Sequence, residues 1–214
     1  MATRHFDASL GCLVSPALDE LAAQLSSITG LSARERDVIS NATRESLYAV
    51  LHNKLSRLLV LELNSARETG RLTAENSEQR WQQFLELSSQ RSFWDDLALH
   101  YPSLLQRTGA IARNRCLAAL RFAQRWAADR QRLAGLCGAE PGELNELSFG
   151  AGDSHCGGST VAIARGEGWR VVYKPRSLAI DGALRGFVAG LAADHGSALS
   201  VRIPEVVDCG DYGW

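Results

Sequence analysis

"GAGDSHCGGSTVAIARGEGWRVVYKPR", residues 150–176, decides what kind of fold this chain has. Glycines at 150, 152, 157 and 158 cluster ahead of a period-two pattern. That pattern runs through Val161, Ile163 and Ala164, turns at "RGEG", and resumes with Trp169, Val171, Val172 and Tyr173. Two short strands around a glycine-containing turn predict a β-hairpin. Glycines before a strand let backbone amides approach an anion without Cβ interference, and a nest of such amides suits phosphate oxygens. Lys174, on the second strand, adds a point charge for the same anion.

The surrounding sequence completes the architecture. Downstream, "IDGALRGFVAGLAADHG" returns to helical spacing, with Leu184, Phe187, Val188 and Leu191 on one face and Asp181 as the expected N-cap. "LSVRIPEVVDCGDYGW", residues 199–214, reads as an extended segment. Upstream, "GLCGAEPGE" at 135–143 separates the hairpin from a helical periodicity. In "SARE", residues 32–35, Ser32 and Glu35 can form a reciprocal capping box. Leu47, Leu51, Leu55 and Leu58 follow at helical spacing, predicting a helix of about nine turns that stops before Gly70. A second helix follows "GRLT" and carries Trp81, Phe84, Leu85 and Ser88 on one face. A third, "SFWDDLALHY", stops at Pro102. A fourth runs from Pro102 toward Gly135 with Leu105, Ala112, Cys116, Ala119, Ala123 and Trp126 as its apolar stripe. Residues 1–30 are weakly patterned, with a short helix expected at 16–28. The expected fold is therefore α+β: a helical region over 1–135, then a loop–hairpin–helix–strand unit over 136–214. No closing helix follows "YGW", so the second unit reads as part of a larger domain.

Composition narrows the function classes. The chain has 214 residues, 45% of them hydrophobic and 22% charged, with a net charge of −1. That balance suits an ordinary globular protein and supplies no global field toward nucleic acid or anionic lipid. The arginines of "RNRCLAALRFAQRWAADRQR" fall at several angles around their helix and read as a solvated face. The longest apolar run, "LLVLEL" at 58–63, is far too short to cross a bilayer, and no signal peptide is visible. Cys12, Cys116, Cys137, Cys156 and Cys209 are odd in number and never spaced C-x-x-C, as expected for reduced thiols in the cytoplasm.

The order loop, hairpin, strand lysine, helix is that of a kinase small lobe. Other nucleotide motifs fit poorly: G-x-x-x-x-G-K-[ST] is absent, and His155 stands where a dinucleotide fingerprint needs its third glycine. A structural hairpin with a snorkelling Lys174 is the alternative reading. Asp153 and His155 can close a turn and face solvent, or project over a bound nucleotide as acid and base. Zinc held by Asp153, His155 and Cys156 would lack a fourth ligand at usual spacing.

At these residues the sequence resembles a known family. "GDSHCGGSTV", "VVYKPRSLAIDG" and "YGW" resemble the dehydratase domain of class II lanthipeptide synthetases, the LanM-type enzymes. "GRLTAENSEQRWQQF", "LHYPSLLQR" and "RWAADRQRL" resemble its upstream segments in the same order, so the likeness covers about residues 60–214.

The resemblance implies an ATP- and Mg²⁺-dependent enzyme that phosphorylates serine and threonine in a precursor peptide bound by its leader. Elimination of phosphate then gives dehydroalanine or dehydrobutyrine. It also implies a lipid-kinase-like catalytic core, a cytoplasmic location, and a zinc-dependent cyclase domain absent from this chain. By the same resemblance Lys174 is the ATP-phosphate lysine, Asp153 and His155 serve elimination, Gly157 and Gly158 let the loop close, and Arg176 is a further phosphate contact. Ser159 stands where family members commonly carry arginine. The helix after the hairpin has no glutamate for Lys174, leaving its partner unassigned. The large lobe with the magnesium ligands is also missing, so the chain is expected to be a truncated fragment, inactive alone. A non-catalytic helical module that binds a peptide or scaffolds a partner, and a small-molecule phosphotransferase, are the competing readings. Assaying this chain for ATP- and Mg²⁺-dependent dehydration of a precursor peptide checks the expected inactivity.

Overall fold

The computed structural model describes residues 6–152, 159–195 and 203–214. It is mostly helical with one small antiparallel sheet, an α+β fold. Two compact units divide the chain: Met1–Gln24 with Thr43–Leu117, and Leu25–Ala42 with Ala118–Trp214. Among the described residues no helix is long and apolar enough to cross a membrane.

The first unit draws on α1 (Asp7–Ser26), α2 (Ala33–Glu68), α3 (Ser77–Ser89), α4 (Arg91–His100) and the start of α5 (Leu104–Asp129). The expected helix at 16–28 proves to begin at Asp7, and Pro16 lies inside it. Proline removes one helical hydrogen bond, but Leu10, Val14, Leu18 and Leu21 are buried along one face. Tertiary burial thus outweighs local propensity. The end of α2 follows the expected punctuation: Gly70 has φ +71°, its N–H reaches Arg67, and Arg71 N–H reaches Ala66. This is a Schellman cap, which only a left-handed residue closes cheaply. Phe84 and Ser88 of α3 are buried as their face predicts. Ser88 is there for its hydroxyl, 2.6 Å from that of Ser9 and 2.7 Å from the Phe84 carbonyl it donates to. The Ser88 carbonyl accepts from the Trp94 indole at 2.9 Å.

The second unit holds the remainder of α5, a 3₁₀ turn (Arg130–Leu133) and one helical turn, α6 (Ala134–Cys137), closed by left-handed Gly138. β1 (Glu146–Phe149), β2 (Ala162–Gly166) and β3 (Trp169–Tyr173) form a sheet of that order, followed by α7 (Ala179–His195). The hairpin expected from the sequence is β2–β3, turning at Glu167 and left-handed Gly168. β1 leaves no signal in the sequence, because "ELSF" is too short to show its period. Residues 203–214 form isolated bridges instead of a strand.

Pairing of Phe149 with Ala162 and of Ala162 with Tyr173 sets a small residue between two rings. Both rings meet Phe122 of α5 edge-on, at 5.7 and 5.4 Å. Trp169 stacks on Trp126 at 5.2 Å. Large and small side chains alternate across this face, so the sheet packs closely on the helix. By contrast α7 leaves much of its apolar stripe uncovered: Leu184 is 51% and Phe187 64% exposed. The four described cysteines are free thiols, and burial pushes that of Cys116 up to about 11.

One carboxylate joins three segments of this unit. The capping box forms as expected, Ser32 N–H donating to Glu35 at 2.9 Å and Glu35 N–H to the Ser32 hydroxyl at 3.1 Å. Glu35 is only 1% exposed and also accepts from Arg130 (2.8 Å), the Trp126 indole (3.1 Å) and Leu144 N–H (3.0 Å). Burial alone would raise its pKa, but these hydrogen bonds outweigh burial and hold it below the usual range. A depressed folded-state pKa means its contribution is present at neutral pH and lost as pH falls through the folded value. Glu35→Gln should cost about 2–3 kcal/mol near neutral pH. The deficit should shrink below a pH of about 4, where the parent loses its own advantage. Urea unfolding of both proteins across that range measures the difference.

Candidate functional site

The glycine-rich stretch proves to be the connection between β1 and β2. Its stem is tied shut: Gly150 N–H donates to the Thr160 hydroxyl at 2.9 Å, and Ala151 N–H to the Val161 carbonyl at 3.2 Å. Gly150 and Gly152 have φ of +88° and +150°, conformations that side chains resist, so the chain can leave the sheet here. Asp153, His155, Gly157 and Gly158, together with Cys156 of the zinc alternative, lie outside the described residues.

The last row of the register sets Phe149, Ala162 and Tyr173 side by side, with Gly150 and Lys174 the next residues beyond its outer members. Two strand spacings separate the first from the last, roughly 10 Å. Lys174 therefore sits at the end of the sheet from which the glycine connection emerges. Alternation along β3 buries Val171 and Tyr173 on the helix-packed face and turns Val172 and Lys174 the other way. Along this strand lies a cavity of about 620 Å³, lined by Val171, Val172, Lys174, Asp181, Leu184 and Val206 among others.

The partner of Lys174 is Asp181. Its Oδ1 lies 2.9 Å from the Lys174 ammonium, and its Oδ2 lies 3.1 Å from the Arg176 guanidinium. Arg176 also donates to the Ser177 carbonyl at 2.8 Å. The hydrogen bond from Lys174 holds the Asp181 carboxyl below its usual range, burial opposing and Arg176 assisting. Two cations against one anion leave a surplus positive charge beside the cavity. Asp181 is not the N-cap expected from its position. α7 starts two residues earlier, where the Ser177 hydroxyl accepts from Ala179 N–H and Asp208 from Leu178 N–H. A carboxylate in the first turn after "YKPR" was the signal available, because a turn brings it back toward the strand end.

The backbone of Lys174 is held from the other side. Its N–H and carbonyl both pair with Gly213, at 2.9 and 3.0 Å. Gly213 belongs to a small hairpin in which Val207 and Trp214 exchange backbone hydrogen bonds and Gly210 takes φ +89°. Buried Asp129 anchors it, accepting from the Tyr212 hydroxyl at 2.7 Å and the Trp214 indole at 2.8 Å. Burial, then this bond to Asp129, raises the Tyr212 pKa. Arg125 adds a bond to the Tyr173 hydroxyl and lies 3.9 Å from the centre of the Tyr212 ring.

Residues 101–214 match the family described as a domain of unknown function, DUF4135. The chain belongs to the DUF4135 family. That family is associated with lanthipeptide synthetase-like proteins. None of the curated proteins compared with the chain matches it. The DUF4135 span takes in the whole sheet, the glycine connection, Lys174, Asp181 and the hairpin that ends at Trp214.

Within this DUF4135 segment Gly213 has a packing reason for being glycine. A Cβ there would come within 2.6 Å of Leu178 and 2.7 Å of the Val207 carbonyl. The second neighbour is backbone and cannot rotate away. Gly213→Ala should therefore cost about 1–3 kcal/mol, as overpacking does. Urea unfolding followed by tryptophan emission tests this, and an unchanged midpoint would contradict it.

Proposed function

We propose that this chain is the N-terminal part of a LanM-type lanthipeptide synthetase dehydratase and contributes a kinase-like small lobe. One observation carries the reading: Lys174, paired with Asp181, directly follows β3 at the end of the sheet where the glycine-bearing β1–β2 connection leaves. A lysine at the end of a strand, fixed by a carboxylate and near the start of a glycine-rich connection, is an arrangement suited to polyphosphate. The family's association with lanthipeptide synthetase-like proteins supports the peptide as acceptor.

The donor set fits the phosphates of ATP. An ammonium has three donors, and the contact with Asp181 engages one, so Lys174 retains two for phosphate oxygens. Arg176 stands on the same carboxylate and can add a forked contact. ATP would supply the phosphoryl group received by a serine or threonine hydroxyl. The described residues contain no group of three His, Cys, Asp or Glu able to hold a metal, so no step is assigned here to Mg²⁺. Asp153 and His155 are assigned to the second half-reaction: one takes the α-proton of the phosphorylated residue as phosphate departs and the Cα–Cβ double bond forms.

In the enzyme carrying the rest of the dehydratase, Lys174→Ala should lower ATP-dependent phosphorylation of the precursor peptide by about 100-fold or more. Peptide binding, read by fluorescence anisotropy, should be retained. Asp181→Asn should raise KM for ATP more than it lowers kcat, because it frees the lysine without removing it. Unchanged phosphorylation in Lys174→Ala, or phosphorylation of small hydroxylated metabolites but never of peptide, overturns the assignment.

A further inference from the structure

A second concave surface draws on no residue of the Lys174 site. It is a groove of about 430 Å³ between α2 and the first turns of α5. Leu51, Lys54 and Leu58 present one wall at i, i+3 and i+7, and Leu104, Arg107 and Ile111 present the other at the same spacing. Each wall is two helical turns long, roughly 10 Å. The pattern is matched across the groove: aliphatic, cation, aliphatic on both sides. No carboxylate lines it, and among the described residues neither Lys54 nor Arg107 has an ion-pair partner.

We propose that this groove docks an amphipathic helix of a peptide partner, with an aliphatic stripe flanked on both sides by carboxylates. A groove between two helical walls receives a third helix by taking up its i, i+3, i+4 and i+7 side chains. Cations on opposite walls ask for anions on both flanks of that stripe. A single-headed anionic amphiphile would satisfy only one of them. The apolar floor supplies affinity, and the flanking charges supply register and preference for an acidic partner.

The probe is a fluorescein-labelled, alanine-based helical peptide whose leucine stripe is flanked by glutamates, with a lysine-flanked twin as control. Anisotropy titration against the whole chain should show the glutamate peptide binding, weakening with added salt, and the lysine twin not binding. Lys54→Glu with Arg107→Glu should weaken the glutamate peptide about tenfold, the loss expected for two exposed ion pairs, and should admit the lysine twin. Circular dichroism checks that the pair of substitutions leaves the helices intact, and Lys54→Gln with Arg107→Gln replaces it if it does not. No binding of the glutamate peptide, equal binding of the twins, or an unaltered affinity in the charge variants overturns the proposal. So does complete displacement of the peptide by sodium laurate, which would make the groove a site for single-headed amphiphiles.

Discussion

The buried carboxylate of Glu35 is the interaction on which the second unit depends. It begins as local chemistry, the reciprocal cap with Ser32 that starts α2. The same two oxygens then take donors from Trp126 and Arg130, one turn apart near the end of α5, and from the backbone that leads into β1. A carboxylate so deeply buried is tolerated only when its acceptor sites are filled. Here the donors come from three separate stretches of chain, so satisfying one charge also fixes three segments. Trp126, held by this acid, in turn receives Trp169 of the sheet.

Asp129 plays a comparable part further along. It lies between the end of α5 and the hairpin at 207–214, and its Oδ2 gathers the Tyr212 hydroxyl and the Trp214 indole. The hairpin then pairs with Lys174 through Gly213. The lysine is thus constrained twice, at its backbone by hydrogen bonds rooted in Asp129 and at its ammonium by Asp181. Such double restraint suits a charge that must be in place before its ligand arrives.

Much of this was legible in the sequence wherever a signal was local. The Ser32–Glu35 cap, the Gly70 stop and the β2–β3 hairpin each follow from residues within a few positions of one another. The misses are non-local. α1 was underestimated because Pro16 is a local breaker, while the leucines that hold the helix act through packing. β1 went unseen because four residues cannot establish a period, and its identity as a strand comes from pairing with Ala162–Arg165. Helical position suggests a cap for Asp181, whereas its partner lies back at the end of the preceding strand. The far end of the glycine connection, with Asp153 and His155, belongs to residues outside those described.

The pairing of Lys174 with Gly213 also bears on solubility. β3 is an outer strand, and an outer strand offers unpaired amides and carbonyls to any passing chain. The hairpin at 207–214 occupies those groups at Lys174. Arg170 sits exposed farther along β3, and Glu146 is exposed on the opposite margin of the sheet. A charge on each margin and a bound turn at one corner discourage edge-to-edge addition of a second sheet. The contact that steadies the lysine therefore also guards the molecule against strand-mediated aggregation.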